Sequence, residues 1–436
     1  MTTWNLVGAL LLSISVQALD GREVAAIPRS LMQYANRPIL ASANHQPDPI
    51  AQEAIAAMLK ELQQAGISNP NQGVWIQSHD GTIAAGRLAD RALPSASLTK
   101  NITTLAALQT WGANHQFVTK VSITGKISGD TLQGDLIIEG GGDPLFVWEE
   151  AIALGNRLNQ LGLKKVKGDL VVTGAFAMNF ETDLPKSAEY LRLALDSRQW
   201  EGEVLTQYAT MPSGTAKPQL EILGKVRAMA NISPNSNRRL IMRHLSLPLW
   251  QVLKRMNTFS NNEMAEMLAQ QLGGGAQVAK IAASVTGMPT SEIKLINGSG
   301  LGQANQISPR ATVAIMMALS DRAQIEGLTL ADLFPSSTCN CGTIEGRSLM
   351  PKGAIVKTGT LSDVSALAGI VQTEKYGAVW FAIVNRGEGD IDLFHQAQDR
   401  VLQRLVSRWG LPKMALLNFA ETSWQDRDRN EVIGDW

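Results

Sequence analysis

Two apolar, β-rich runs near the C-terminus constrain the fold most. "AIVKTGT…ALAGIVQ" (354–372) and "GAVWFAIVNRG" (377–387) are joined near Lys375-Tyr376-Gly377. Runs of this composition, so closely joined, read as adjacent antiparallel strands. Helical periodicity precedes them at roughly 248–257, 262–273, 276–286 and 308–320, and an amphipathic pattern follows at about 392–408. Near the other end, Asp48-Pro49 reads as an N-cap with a first-turn proline, and the helix it starts runs to Gln64. "GVWIQS", "HDG" and "TIAAG" then read as strand, turn and strand. Both chain ends therefore offer helices and strands to a mixed α and β fold.

The stretch 117–175 differs in character. "QGDLIIEGGGD" and "KGDLVVTGAF" share Gly-Asp-Leu, with Gly134 and Gly168 lying 34 residues apart. A helical pattern from Glu149 to Leu161 separates them. Two strands around a helix suggest a small α/β insertion, here bounded at 119–184, within a larger unit made of 19–118 and 185–436. The tail after Pro412 is polar and expected to be loosely held.

Composition narrows the function. With 44% hydrophobic and 18% charged residues, a substantial core is available. The 39 basic and 39 acidic residues cancel, which argues against a nucleic-acid partner held by a global positive field. At the N-terminus, an apolar run over 6–16 ends in Val16-Gln17-Ala18, a small-x-small exit suited to cleavage before Leu19. This fits a signal peptide over 1–18 and an exported protein, although no Lys or Arg precedes the run. An uncleaved anchor, giving peripheral membrane association, is the alternative. Cys339 and Cys341 read as two free or facultatively paired thiols in a loop, because a bridge between residues two apart is expected to be strained. The five histidines are scattered and no G-x-S-x-G occurs, so no metal site and no Ser-His-Asp centre is expected.

Three short motifs remain. Ser97-Leu98-Thr99-Lys100 starts a helix, so a hydroxyl and an amine lie one turn apart on one face. Ser260-Asn261-Asn262 begins another helix, and Lys357-Thr358-Gly359-Thr360 lies in the first C-terminal strand. Taken singly, each has a bland reading: a cap with a solvated lysine, a second cap, an edge-strand lysine. In this order, each on a suitable element, they point to a serine nucleophile with a lysine base.

Here the sequence resembles the penicillin-recognising serine DD-peptidases, specifically the class C low-molecular-mass penicillin-binding proteins. "LPSASLTKNITTLAAL", "GKISGDTLQGDLIIEGGGDPLF", "HLSLPLWQVLKRMNTFSNNEMAE", "INGSGLGQANQISPRAT" and "VKTGTLSDVSALAGIV" carry the likeness. It implies a β-lactamase/DD-peptidase-like α/β (α+β) fold, an antiparallel sheet flanked by helices with a smaller insertion. Ser97 and Ser260 lie 163 residues apart, a long interval that favours a carboxypeptidase over a β-lactamase. The insertion is shorter than is usual for the family, with a stretch missing between about Thr182 and Ser187. Asn297 stands where aspartate is common, and Asn101 where an apolar residue is common.

The resemblance implies D-alanyl-D-alanine carboxypeptidase or endopeptidase activity on peptidoglycan stem peptides in the periplasm or cell envelope, without a cofactor. β-Lactams would be covalent inhibitors. Ser97 would attack, Lys100 would be the base, Ser260 would relay a proton to the leaving amine, and Asn262 would orient Lys100 and the substrate. Lys357, Thr358 and Thr360 would bind the terminal carboxylate, Gly359 would let the substrate lie along the strand, and the N–H groups of Ser97 and Thr360 would form the oxyanion hole. A β-lactamase or esterase relative, and a non-catalytic peptidoglycan-binding scaffold, are the alternatives.

Overall fold

The computed structural model describes residues 47–81, 84–231, 237–339, 341–412 and 429–433. The expected signal segment lies outside them. Both chain ends build one antiparallel sheet. Its strands are β1 (Gly73–Ser78) and β2 (Ala84–Arg87) from the N-terminal part, and β8 (Ile355–Leu361), β9 (Val364–Thr373) and β10 (Gly377–Arg386) from the C-terminal part. The order is β8-β9-β10-β1-β2, with Val74 opposite Ile383 and Gly359 opposite Ala366.

The apolar run in β10 is continuous because both faces of the sheet are covered. Val379, Phe381 and Ile383 pack towards α1 (Pro49–Gln64) and α10 (Ile391–Trp409). The alternate residues Trp380, Ala382 and Val384 pack against the opposite helices. Of these, α9 (Pro309–Ile325) lies against β10, and α2 (Thr99–Trp111), α6 (Leu249–Phe259), α7 (Asn262–Gln271) and α8 (Gly275–Thr286) complete the same core. Asp48 caps α1 as expected, accepting from the N–H groups of Ile50 and Ala51.

A second core spans Val121 to Met242. Its sheet runs β6-β5-β4-β3-β7-β11, comprising β3 (Val118–Ile123), β4 (Leu136–Gly141), β5 (Leu170–Ala175), β6 (Val226–Met229), β7 (Arg239–Leu245) and β11 (Asn430–Val432). The two Gly-Asp-Leu stretches lie side by side: β4 and β5 pair in parallel, Leu136 opposite Leu170, around α3 (Trp148–Gln160). α4 (Leu184–Leu195) and α5 (Glu203–Thr210) follow the boundary expected at 184, yet their buried Leu191 and Val204 belong to this core.

Two expectations change. Cys339 and Cys341 form a disulfide, with Cα atoms 5.2 Å apart, inside the range a bridge can span. The tail does not stay loose throughout: β11 pairs antiparallel with β7, Asn430 opposite His244. Arg429 beside it donates to the buried Glu150 of α3 at 2.8 Å, and His244 Nε2 approaches the same carboxylate at 3.2 Å.

Another buried ion pair holds the loop before β8. Arg347 meets Asp399 of α10 at 2.6 Å, with side chains 6% and 3% exposed. Arg347 also donates to Gln398 Oε1 and the His395 carbonyl. Removing one member of such a pair strands the other charge. Arg347→Ala should therefore cost about 3–5 kcal/mol in urea unfolding, and adding Asp399→Asn should recover part of it. A loss under about 1 kcal/mol would mean that the pair is worth no more than a surface one.

Candidate active site

α2 is buried all round from Thr99 to Leu108, which makes it an inflexible central platform. Ser97 does not lie within it. It sits in the 3-10 turn Ala96–Leu98 that leads into the helix, and Ala96 adopts a left-handed φ of 48°. Two glycines make this turn sterically feasible. Gly300, at φ +87°, lies against the Ala96 carbonyl so closely that a Cβ would collide with it. A Cβ on Gly359 would come within 2.9 Å of the Ser97 nitrogen and 2.8 Å of the Ser95 carbonyl. Strand β8 thus runs directly past the serine backbone.

The three motifs converge. The Lys100 Nζ lies 2.9 Å from Ser97 Oγ, 2.8 Å from Asn262 Oδ1 and 2.9 Å from the Ser299 carbonyl. Ser260 ends α6 in a left-handed conformation (φ 54°, ψ 38°). The cap of α7 is the middle residue, Asn261, which accepts from the Met264 N–H at 2.8 Å. Ser260 is thereby left to face the cleft, where Lys357 Nζ donates to its Oγ at 2.9 Å and to the Thr358 carbonyl at 2.7 Å. Thr358 is buried and donates to Thr343 Oγ1 at 2.6 Å, while Thr360 is exposed. All eight residues expected at the site therefore belong to the converging motifs.

The three partners of Lys100 accommodate both protonation states: an ammonium donates to all of them, and a neutral amine can serve as a base. A neutral amine has two N–H groups and one lone pair. Asn262 Oδ1 and the Ser299 carbonyl can only accept, so they take the two N–H groups. The lone pair then faces Ser97, whose O–H can donate to it. Burial lowers the Lys100 pKa to about 7, against the opposing pull of Glu266 and Glu263. Burial also pushes Lys357 well below its usual value, and the Lys100 charge adds to this. Two ammonium groups in one cleft disfavour each other.

Some contributors are not among the residues expected at the site. The Ser299 carbonyl belongs to the "NGSG" block, and Glu266 holds that block by accepting from the N–H groups of Gly298 and Ser299 at 3.1 and 3.0 Å. Asn297 accepts from Gly300 N–H and donates to the Leu301 carbonyl. An aspartate there could do only the first. Thr343 follows the Cys339–Cys341 bridge. The signal for Ser299 was its place in a quoted block; for Thr343, the Gly-Thr turn of "TCNCGTIEGR". Asp143 of the Gly-rich turn is buried and accepts from Leu145 N–H, so it serves the turn.

Residues 51–185 and 217–405 match the D-Ala-D-Ala carboxypeptidase 3 (S13) peptidase family. The chain belongs to that family. It is thus a serine-type hydrolase of the penicillin-binding, D-alanyl-D-alanine peptidase group. D-alanyl-D-alanine carboxypeptidase DacB of Haemophilus influenzae is 23% identical over 398 residues, 69% of this chain and 81% of its own. A carboxypeptidase of Mycobacterium tuberculosis is 26% identical, covering 70% of this chain and 73% of that protein. Among solved structures, a predatory peptidoglycan endopeptidase of Bdellovibrio bacteriovorus superposes with a TM-score of 0.69 at 22% identity, over 83% of this chain and 98% of its own. Penicillin-binding protein 4 of Haemophilus influenzae gives a TM-score of 0.61 at 18% identity, over 81% and 99%. These two share the fold of this S13 peptidase, the α/β arrangement of a sheet flanked by helices.

The titration of Lys100 has a definite sign. A base works when unprotonated, so the rate at which a β-lactam acylates Ser97 should fall below about pH 7 as Lys100 gains its proton. Stopped-flow acylation should decline about tenfold per unit well below that midpoint. A rate constant across pH 5 to 9 would contradict the assignment.

Proposed function

We propose that this S13 peptidase opens D-alanyl-D-alanine-type bonds of peptidoglycan stem peptides through an acyl-enzyme on Ser97. One observation carries the reading. The Lys100 amine lies 2.9 Å from Ser97 Oγ, with Asn262 Oδ1 at 2.8 Å and the Ser299 carbonyl at 2.9 Å as its other partners.

Ser97 Oγ attacks the carbonyl of the penultimate D-alanine while its proton passes to Lys100. Charge builds on the carbonyl oxygen, beside the Ser97 N–H and the strand at Gly359 and Thr360. The C–N bond then breaks. Ser260 delivers a proton to the departing amine and takes in exchange the proton that Lys100 removed from Ser97, so Lys100 is neutral again, while Lys357, 2.9 Å away, holds the Ser260 hydroxyl in place. The terminal carboxylate of the leaving residue lies at Lys357, Thr358 and Thr360, and its charge favours the ammonium form that burial alone opposes. Water, activated in turn by Lys100, hydrolyses the ester.

A β-lactam offers the same carbonyl and carboxylate but keeps its leaving amine tethered, so the ester persists. The substrate lies outside the cytoplasmic membrane, and the Cys339–Cys341 bridge suits an oxidising compartment, which supports export. No helix among the described residues is long and apolar enough to cross a membrane.

Fluorescent penicillin followed by intact-mass measurement tests the reading. The wild type should gain one penicilloyl group, Ser97→Ala none, and Lys100→Met should acylate about 10²- to 10⁴-fold more slowly. An unlabelled wild type would favour a scaffold. Fast turnover of a chromogenic cephalosporin would favour a β-lactamase.

A further inference from the structure

A cleft of about 280 Å³ opens where the inserted subdomain meets the catalytic helices. Phe180, Glu149 and Gln207 line it from the subdomain, and Arg255, Phe259 and Met264 from the catalytic side. None of these residues takes part in the chemistry described above. Clefts between substructures, with apolar walls and a few converging polar groups, are where ligands bind.

Its position relative to Ser260 is informative. Phe259 immediately precedes Ser260, and Asn261, which immediately follows it, lines the same cleft. Ser260 hands a proton to the departing amine, so the cleft adjoins the leaving-group side of the site. Phe259 is 67% exposed, more than any other large hydrophobic residue described. Ile296 and Leu301, on the loop that carries Ser299, are 66% and 61% exposed.

The opposite wall is held at a conformational cost. Asn179 and Phe180 are consecutive non-glycine residues with φ of 52° and 66°. Such a backbone is unfavourable for a residue with a side chain and persists only where its surroundings impose it. Here it turns Phe180 out of the subdomain to pack at the edge of the catalytic core. The polar lining balances in charge. Gln207 Nε2 donates to Glu149 Oε1 at 2.6 Å, and Arg255 acts on the same carboxylate.

We propose that this cleft binds the second stem peptide of a cross-link, the leaving group of an endopeptidase reaction. The inference rests on the serine-peptidase reading above and extends it. A carboxypeptidase substrate releases a single D-alanine, which ends at the Lys357 site and has nothing to place farther out. A cross-link releases the side-chain amine of a diamino residue in another stem: methylenes first, then peptide amides. Phe180, Phe259 and Met264 suit the methylenes. Gln207, Glu149 and Arg255 suit amide and carboxylate groups. The amide between the D-alanine carbonyl and that amine breaks, the ester to Ser97 forms, and the amine leaves with the proton from Ser260. Water then cleaves the ester. Contacts far from the reacting atoms would raise kcat/KM for the cross-linked substrate selectively.

The test compares kcat/KM on a purified cross-linked muropeptide dimer and on a monomeric pentapeptide, for the wild type, Phe180→Ala and Phe259→Ala. The exposed side chain of Phe259 makes its variant safe for folding. Each substitution should lower the dimer-to-monomer ratio about tenfold. Penicillin acylation of the wild type is measured in parallel. If it fails, the peptidase reading itself falls. If it succeeds while the folded Phe259→Ala variant keeps the wild-type ratio, or the wild type does not cleave the dimer, the cleft has no such role and this inference alone is overturned.

Discussion

Two lysine amines buried in one cleft are the constraint on which the rest of the site depends. Lys100 and Lys357 are both removed from solvent, and the charge of Lys100 makes Lys357 harder still to protonate. The fold turns this penalty into a division of labour. Lys100 comes from the central buried helix and has two fixed acceptors, an arrangement that a neutral amine fills completely. Lys357 comes from the sheet and donates to Ser260 and to its neighbour's carbonyl.

The architecture serves that geometry. Strand β8 must pass Ser97 at backbone distance, and Gly359 is the position that permits it. The strand is fixed by a sheet covered on both faces, with α1 and α10 behind and the α2 and α9 group in front. The loop before β8 is tied to α10 through Arg347 and Asp399, and it presents Thr343 to Thr358. A contact on the far side of the sheet therefore helps to hold Thr358. Glu266 plays a comparable part for the other lysine. It fixes the loop that aims the Ser299 carbonyl, and its charge also draws Lys100 back towards the protonated form.

Much of the catalytic part was legible because its signals are local. Asp48 reads as a cap, β9 and β10 as paired strands, and the three motifs as chemistry on particular elements. What escaped was non-local. Ser97 looked like a residue of the helix, but the close approach of Gly300 and Gly359 belongs to a tighter turn before it. The insertion seemed to end near 184 because its Gly-Asp-Leu echo ends there, whereas the second core continues through Leu191 and Val204 to Met242. The C-terminal strand could not be foreseen from a polar tail, since its partners, the strand at Met242–His244 and the carboxylate of Glu150, lie far away in sequence. The cysteine spacing argued against a bridge, yet the backbone brings the two Cα atoms to 5.2 Å.

Where the fold places it, Lys100 is an amine that gives up its proton near neutral pH rather than near the usual lysine value. Direct titration by NMR, with ¹³Cε-labelled lysine and Lys100→Met for assignment, addresses this without any substrate. The account predicts a Lys100 resonance with a midpoint at about 7. A resonance that stays in the ammonium position until about pH 10 would show that the amine is protonated when Ser97 needs a base, and the account would fail.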